Sequence, residues 1–378
     1  MPQRSAKLRV TTKDVAARAG VSQPTVSLVL SRSAHARVAP ETRERVLKAA
    51  AELGYRPNVL ARGLVQRRSY ALGIIVPDIR NPFFADVISG AERVAAEEGY
   101  AVLLCEAGDA IPAERHLETL HGRLIDGVIL DAVGAAALDE NMLQGLNVVL
   151  IDEPPGGRWP GVATDAAGAG RLAAEHLLAL GHRRFAFIGP AVDVHGLRLR
   201  ERGFVQALRS AGVALESAAL RRAPATVAGG QAAMRALLAD AAAGGLPRPT
   251  ALFCANDLVA LGALKACATA GVRVPETLSI VGCDDIEMAR LVTPELTTVA
   301  VPARELGARA ARLLIRQLAD PPDAKPDAKP DAGRPSQRPL PVRLVTRGST
   351  AAPPPPDDAA AVARAPQRPR RVPRKGGR

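Results

Sequence analysis

With 378 residues, the chain is long enough for more than one hydrophobic core, and its formal net charge of +12 favours a polyanionic partner. No apolar run reaches bilayer length and the first residues lack the hydrophobic segment of a secretory signal, so membrane and secreted classes are excluded and a cytoplasmic protein is expected. Reduced, buried thiols are expected rather than disulfides or a metal site, because the histidines have no ligand spacing and no CxxC pair occurs among Cys105, Cys254, Cys267 and Cys283.

Residues 11–30, TTKDVAARAGVSQPTVSLVL, predict a short helix, a glycine turn and a second helix, which is the layout of a helix-turn-helix DNA reader. Gly20 supplies the permissive backbone of the turn, and Ser22 is placed to cap the second helix. Helical spacing turns apolar side chains inward, namely Val15, Ala16 and Ala19 in the first helix and Val26, Val29 and Leu30 in the second. The outer surface is then formed by Gln23, Thr25, Ser27 and Leu28. An ordinary helical hairpin inside a core is the alternative for this stretch alone.

The next residues, VAPETRERVLKAAAELGYRPNVLARGL (38–64), narrow the interpretation, because with them the chain resembles the lactose/galactose repressor (LacI/GalR) family of bacterial transcription factors. The resemblance implies a third helix at about 40–53 and a short hinge helix at 58–64. It places base-reading positions at Gln23, Pro24 and Leu28. It places phosphate and backbone contacts at Ser22, Thr25, Ser27 and Ser31. In the hinge it adds Asn58 as a DNA contact and Leu64 as a minor-groove wedge, for which a core leucine is the alternative.

Several positions depart from the family pattern. Leu28 stands where an arginine is frequent, which removes a bidentate guanine reader and leaves a group suited to a thymine methyl. Ala39 stands where a Ser or Thr usually caps the third helix, a loss of about 1 kcal/mol. Two extra residues lengthen the loop at 34–37, and Gly63 weakens the hinge helix, which favours a hinge that folds only on DNA.

From residue 71 onward, aliphatic strands alternate with helices, which predicts parallel sheets with helices on both faces. The first set contains the strands LGIIVP, AVLLC, GVILDA and NVVLID, with a helix at about 83–98. The second set contains RFAFIGP, ALFCAND and LSIVGCDD, with helices at about 166–180, 198–211 and 258–270, so the body looks like a duplicated lobe. The predicted fold class is an N-terminal all-α helix-turn-helix headpiece followed by a two-lobed α/β body, and the resemblance implies that this body is periplasmic-binding-protein-like.

Polar residues cluster at the carboxyl ends of the predicted strands, where open parallel sheets bind ligands. They include Asp78, Asn81, Asp131, Asp152, Asn256, Asp257, Asp284 and Asp285. The resemblance adds Arg200 and sets it against Asp284 across a cleft, where the two could grip an effector through its hydroxyls. The expected effector site is Asn81, Phe83, Asp131, Asp152, Arg200, Asn256 and Asp284. Turn or helix-capping roles remain the alternative for Asp78, Asp152, Asp257 and Asp285.

The expected organisation is a headpiece at 10–57, a hinge at 58–68, a body at 69–350 and a disordered basic tail at 351–378. Net charges of +10 in residues 1–68 and +5 in 351–378, against −3 between them, place phosphate binding at the ends. The insert at 321–338 repeats Pro, Asp, Ala and Lys and cannot build a core. LPVRLVTRGST (340–350) matches the family's last strand, which ties the chain back onto the body.

These features predict a DNA-binding transcriptional regulator, with repression favoured over activation. Its expected partner is double-stranded operator DNA, and its expected assembly is a homodimer, with a tetramer as the alternative. A sugar or sugar acid is favoured as effector over a purine, because few aromatic side chains besides Phe83 and Phe84 are available for stacking. A non-regulatory cytoplasmic sugar-binding protein of the same fold is the alternative. An α/β enzyme is disfavoured, because the chain has no nucleophile elbow, no metal spacing and no GxGxxG or GxxxxGK[ST] motif, and no cofactor is expected.

Overall fold

The computed structural model describes residues 10–30, 38–55, 68–107, 111–122, 125–132, 135, 138, 140–152, 159–192, 194–319 and 338–355. The chain divides into two units after Tyr70. The lengthened loop at 34–37, the hinge helix, most of the 321–338 insert and residues 356–378 lie outside the described residues, as do Ser31, Asn58 and Leu64. No helix in the described ranges combines the length and the apolar character that a membrane crossing requires.

The first unit is a three-helix headpiece, as predicted. Its helices are α1 (Thr12–Ala19), α2 (Gln23–Leu30) and α3 (Pro40–Glu52). They share one small core of Val15, Ala16, Ala19, Val26, Val29, Val46, Ala49 and Ala50. Thr11 and Asp14 form a reciprocal capping box at the start of α1, and Gly20 ends α1 with φ of 64°. The predicted turn and inward faces are therefore confirmed, with Leu30 half-buried.

The start of α3 lacks a side-chain cap, because Ala39 has no atom that accepts a backbone N–H. We expect Ala39→Ser to stabilise the headpiece by about 1 kcal/mol. Amide hydrogen exchange over α3 in the full-length protein measures this change. Ala51→Ser is the matched control, because Ala51 is exposed inside the same helix and serine there has the lower helix propensity. Equal effects of the two substitutions would contradict the capping explanation.

The first lobe of the body is built on a five-stranded, fully parallel sheet in the order β2-β1-β3-β4-β5. Each buried strand carries a near-continuous aliphatic run, which is the pattern of strands covered on both faces. The elements are β1 (Ala71–Val76), α4 (Pro82–Glu97), β2 (Ala101–Glu106), α5 (Ala113–Gly122), β3 (Gly127–Asp131), a 3₁₀ turn (Glu140–Leu143), β4 (Val148–Ile151) and β5 (Gly161–Val162).

The second lobe is built on a six-stranded sheet in the order β11-β10-β9-β8-β6-β7, parallel except for the β10–β11 pair. Its first elements are α6 (Ala166–Ala179), β6 (Phe185–Pro190), α7 (His195–Ser210), a 3₁₀ turn (Ser217–Ala219), β7 (Leu220–Ala223) and α8 (Val227–Ala242). It continues with β8 (Ala251–Cys254), α9 (Asp257–Ala270), β9 (Ser279–Asp284), α10 (Met288–Leu291) and β10 (Thr297–Ala300). β11 (Arg343–Val345) completes the sheet, so the last predicted strand does return to the body.

The chain passes between the two lobes three times. It leaves β5 for α6, and it leaves β10 for α11 (Ala303–Ala319), which packs against α4, β3 and β4 of the first lobe. It then returns to the second lobe at Leu340, whose backbone bridges to Thr164. The prediction from sequence proposed no element at 212–250, so it missed β7 and α8. It also proposed none between Asp285 and Ala319, so it missed β10 and the helix that crosses back.

Three helix pairs of the body meet at reciprocal glycines. The pairs are α4 with α11, α6 with α7, and α8 with α9. The six glycines are Gly90, Gly307, Gly170, Gly203, Gly230 and Gly262. A Cβ placed on any of them would lie 1.9–2.2 Å from a backbone carbonyl oxygen of the partner helix. Each pair is therefore packed backbone against backbone, which no larger residue permits.

Candidate functional site

The first turn of α2 is held in place by hydrogen bonds that the sequence partly predicted. The Ser22 hydroxyl accepts from the Thr25 N–H at 3.4 Å, as expected of a cap, and lies 2.8 Å from the Thr25 hydroxyl. The Gln23 side-chain amide donates to the Thr12 hydroxyl of α1 at 3.0 Å. Gln23, the first residue of α2, is therefore oriented by α1, and a side chain that is already oriented loses less entropy when a partner binds.

The outer surface of α2 has the composition that base reading needs. Gln23, Pro24, Ser27 and Leu28 are exposed, while Thr25 is half-buried. Leu28 is 47% exposed, so its aliphatic side chain is available for contact on the outer surface of α2. A glutamine can read an adenine and an apolar group can contact a thymine methyl in the major groove. The surface therefore fits a DNA contact made of short polar groups and one aliphatic group.

The second candidate site lies at the carboxyl ends of the strands, where Arg200 of α7 is only 6% exposed. One Nη of Arg200 donates to the Ala255 carbonyl and lies 3.8 Å from Asp284 Oδ1 at the end of β9. The Arg200 Nε is buried and has no hydrogen-bond partner among the described residues. A buried donor without an acceptor costs free energy, so a ligand oxygen that reaches it would remove that cost.

Asp152, at the end of β4 in the first lobe, lies next to α7 of the second lobe. Its carboxylate accepts from the Thr164 hydroxyl at 3.2 Å, and its backbone is left-handed with φ of 59°. Gly196 of α7 approaches so closely that a Cβ there would lie 3.0 Å from the Asp152 carbonyl oxygen. The two lobes therefore meet next to this carboxylate, on the same side as Arg200.

Burial raises the pKa values of two acidic side chains in the cleft. It raises the pKa of Asp152 and raises the pKa of Asp284 well above its usual range, while the Arg200 charge opposes both shifts. The neighbouring carboxylates of Asp257 and Asp152 raise the pKa of Asp284 further. Arg200 thus faces several carboxyl groups, and ligand hydroxyl groups can donate to the aspartates while accepting from the guanidinium.

Helix caps account for two other residues of the predicted effector site. Asn81 Oδ1 accepts from the Phe83 N–H at 3.1 Å at the start of α4, and Asn256 Oδ1 accepts from the Val259 N–H at 2.9 Å at the start of α9. Each carboxamide keeps its NH₂ group for a ligand. Asp131 is buried at the end of β3, where it pairs in register with Ile151, the residue before Asp152. Phe83 is buried edge-to-face against Phe84, with ring centroids 5.3 Å apart.

Three other carboxylates near strand ends have protein partners, as the alternative of a turn or capping role would require. Asp78 is paired with Arg80 in a turn, at 2.9 Å from the Arg80 Nε. Asp257 accepts from the Thr298 hydroxyl at 2.5 Å and from the Ile286 N–H at 2.9 Å, and burial raises its pKa to about 6 against those hydrogen bonds. Asp285 is ion-paired with Arg347 and with Arg290, the latter at 3.5 Å. The sequence pattern had no signal for Thr164, Gly196 or the Ala255 carbonyl, which only the packing brings to the cleft.

Known proteins resemble both units of the chain. Residues 11–58 match the family described as bacterial regulatory proteins, lacI family, and residues 174–350 match the periplasmic binding protein-like domain. The HTH-type transcriptional repressor CytR of Escherichia coli (strain K12) is 35% identical over 325 residues, which is 84% of this chain and 92% of that protein.

Solved structures agree with these matches. The lac repressor dimer bound to operator and the anti-inducer ONPF has a TM-score of 0.74 at 27% identity, covering 91% of this chain and 100% of that one. The complex of the transcriptional regulator CelR with cellobiose has a TM-score of 0.63 at 32% identity, covering 90% and 100%.

Fold and site together define a helix-turn-helix regulator whose body has the periplasmic-binding-protein-like architecture. The chain belongs to the LacI family of transcriptional regulators. It is a DNA-binding regulator and not an enzyme, which confirms the resemblance drawn from residues 11–64.

Proposed function

We propose that this regulator represses transcription by binding operator DNA through α2 and that a sugar-like effector in the cleft changes its operator affinity. The buried Arg200 Nε, which lacks a hydrogen-bond partner among the described residues, is the observation that carries the effector assignment. Operator DNA as the partner supports a cytoplasmic location for the protein. Ser31, Asn58 and Leu64 complete the proposed DNA contacts, together with Ser22, Gln23, Pro24, Thr25, Ser27 and Leu28.

The cleft chemistry favours a ligand rich in hydroxyl groups. A vicinal diol can accept from Arg200 and donate to Asp284 or Asp152 at the same time, so it satisfies both kinds of partner. A purine has fewer matching groups and normally stacks on an aromatic face, yet Phe83 and Phe84 are buried against each other. The similar CelR structure holds cellobiose, which supports a sugar over a nucleobase.

The test uses operator DNA that the purified protein itself selects from random duplexes. Neutral sugars, sugar acids and nucleosides are then added to the complex, and operator affinity is measured for each. A neutral sugar or sugar acid that shifts the affinity supports the proposal. A response confined to nucleosides or nucleobases would overturn it.

The proposed base-reading role of α2 gives a second test. We expect Gln23→Ala to weaken binding to the selected operator by about tenfold, since one good base contact discriminates by about 1–3 kcal/mol, and to change binding to random duplexes much less. Fluorescence anisotropy at one fixed salt concentration measures both affinities. Lys13→Gln is the control, because an exposed cation of α1 contributes to both DNAs alike. Equal losses on the two DNAs for Gln23→Ala would reject the base-reading role.

We also propose that the chain is at least a homodimer. β2 is at the edge of the first sheet among the described strands, and an edge strand is a template for pairing with another chain. Large apolar side chains are exposed on β2 and in the neighbouring loops, namely Leu104, Ile79 and Ile111, each 45% exposed. Monomeric proteins rarely group such residues, so this edge is the proposed contact between copies.

We expect Leu104→Lys to raise the dimer dissociation constant by at least about tenfold, because a charge would replace apolar surface at the contact. Sedimentation over a concentration series measures the constant. Val192→Lys serves as the control, since Val192 is 46% exposed in the second lobe. A dimer that Val192→Lys weakens and Leu104→Lys does not would move the contact away from β2.

A further inference from the structure

The second lobe carries a group of arginines at the end opposite the cleft. Parallel strands start at one edge, and Arg183 and Arg184 precede β6, Arg248 precedes β8 and Arg273 precedes β9. We refer to these four residues as the strand-start arginines. Arg183, Arg184 and Arg273 are exposed and Arg248 is half-buried.

Backbone contacts hold the strand-start arginines side by side. Arg184 Nε donates to the Arg248 carbonyl at 2.9 Å, and the Thr250 N–H donates to the Arg184 carbonyl at 2.9 Å. Arg273 follows the C-terminus of α9, and the Arg248 charge acts on Cys267 in the last turn of that helix. The four side chains therefore lie over neighbouring strand starts, about 5 Å apart per strand.

Carboxylates do not neutralise this group within the part of the chain that the structure describes. No ion pair within 4.0 Å joins a strand-start arginine to a described Asp or Glu. Arg93, Arg171, Arg304 and Arg309 are examples of ion-paired arginines elsewhere on the body. Glu216, Glu276 and Glu295 precede strands at the same end and reduce the local charge, and none of them is ion-paired to a strand-start arginine among the described residues. The surface is therefore positive and open to an anionic partner.

The C-terminal segment leaves the body at the same place. The Ala351 carbonyl accepts from the His182 ring at 2.9 Å, the Ala351 N–H donates to the Ser279 hydroxyl at 3.0 Å, and Pro353 packs near Gly181. Residues 356–378 then add seven Lys and Arg against two Asp. The positively charged residues 356–378 thus follow in sequence the segment that packs at this end of the second lobe.

We propose that the strand-start arginines form a second nucleic-acid-binding surface that contacts DNA phosphates without reading sequence. The guanidinium fork suits phosphate oxygens, and the four residues lie in loops and not on a helix that could enter the major groove. Such a surface raises total DNA affinity independently of α2, and it does not depend on the effector assignment.

The test measures the salt dependence of binding by the full-length protein to a random-sequence duplex. Changing all four residues to glutamine (R183Q, R184Q, R248Q, R273Q) is expected to lower the slope of log K against log salt by about 2 to 4, since each phosphate contact contributes about 0.9. The matched control changes Arg93, Arg171, Arg304 and Arg309 to glutamine, which lowers the net charge equally and is expected to leave the slope unchanged. Lysine at the four strand-start positions is expected to restore the slope.

Two results would overturn the proposal. If both quadruple glutamine variants lower the slope equally, or if neither does, then the strand-start arginines make no specific phosphate contact. If poly-glutamate displaces the protein from the duplex as well as unlabelled duplex does, the surface is a site for acidic polypeptides instead. Thermal unfolding of each variant confirms that the comparison is made between folded proteins.

Discussion

Gly203→Ala is expected to destabilise the body by at least about 2 kcal/mol, because the new methyl group overpacks a backbone-to-backbone contact. A Cβ on Gly203 would lie 2.0 Å from the Ala167 carbonyl oxygen, and that atom cannot move away as the end of a flexible side chain could. α6 and α7 must then separate. Because α7 also carries Arg200, the same variant is expected to weaken effector binding. Denaturant unfolding followed by circular dichroism measures the stability change.

Gly122→Ala provides the matched control. Gly122 ends α5, and a Cβ there would have no atom within 4 Å. Alanine has the higher helix propensity by up to about 1 kcal/mol, so this variant is expected to be neutral or stabilising. A Gly203→Ala protein as stable as the parent would show that α6 and α7 separate without cost, which contradicts the packing described here.

Local patterns in the sequence were enough to predict the headpiece and most strands. The capping residues, the glycine turn and the spacing of Val26 and Val29 are all determined within a few residues, and the structure has each of them. The helix predicted at 166–180 appears as Ala166–Ala179 in the second lobe, where the second set of elements was expected to begin. The elements that were predicted from local signals therefore appear with small errors at their ends.

Contacts between distant segments could not be predicted in the same way. Nothing near α11 indicates that this helix leaves the second lobe and packs on α4, because that choice depends on the fit of Gly307 against the Val87 carbonyl more than 200 residues away. Thr164 likewise reaches Asp152 only because the crossover places it there. The polar residues at the strand ends could not be separated into ligand groups and structural groups from sequence, since the partners of Asp257 and Asp285 come from β10 and from Arg347.

Arg200→Gln is expected to abolish the effector response, with about a tenfold to hundredfold loss of effector affinity, since a hydrogen bond to a charged group contributes about 1.5–3 kcal/mol. Glutamine keeps a donor but loses the positive charge that faces Asp284 and Asp152. Both carboxyl groups then lose the interaction that opposes their raised pKa, so they bind protons at higher pH than before. Calorimetry with the sugar found in the ligand panel measures the affinity, and operator binding without ligand is expected to stay intact.

Arg202→Gln is the control for the charge change, because Arg202 is exposed on the same helix. Arg200→Lys separates charge from geometry: it keeps the positive charge but lacks the planar fork, so an intermediate loss of affinity is expected. An undiminished effector response in Arg200→Gln would exclude Arg200 from the effector site. The buried Nε would then no longer support the effector assignment. A loss of operator binding in the absence of ligand would instead show that Arg200 supports the fold, because a residue that acts only through the effector has no effect before the effector binds.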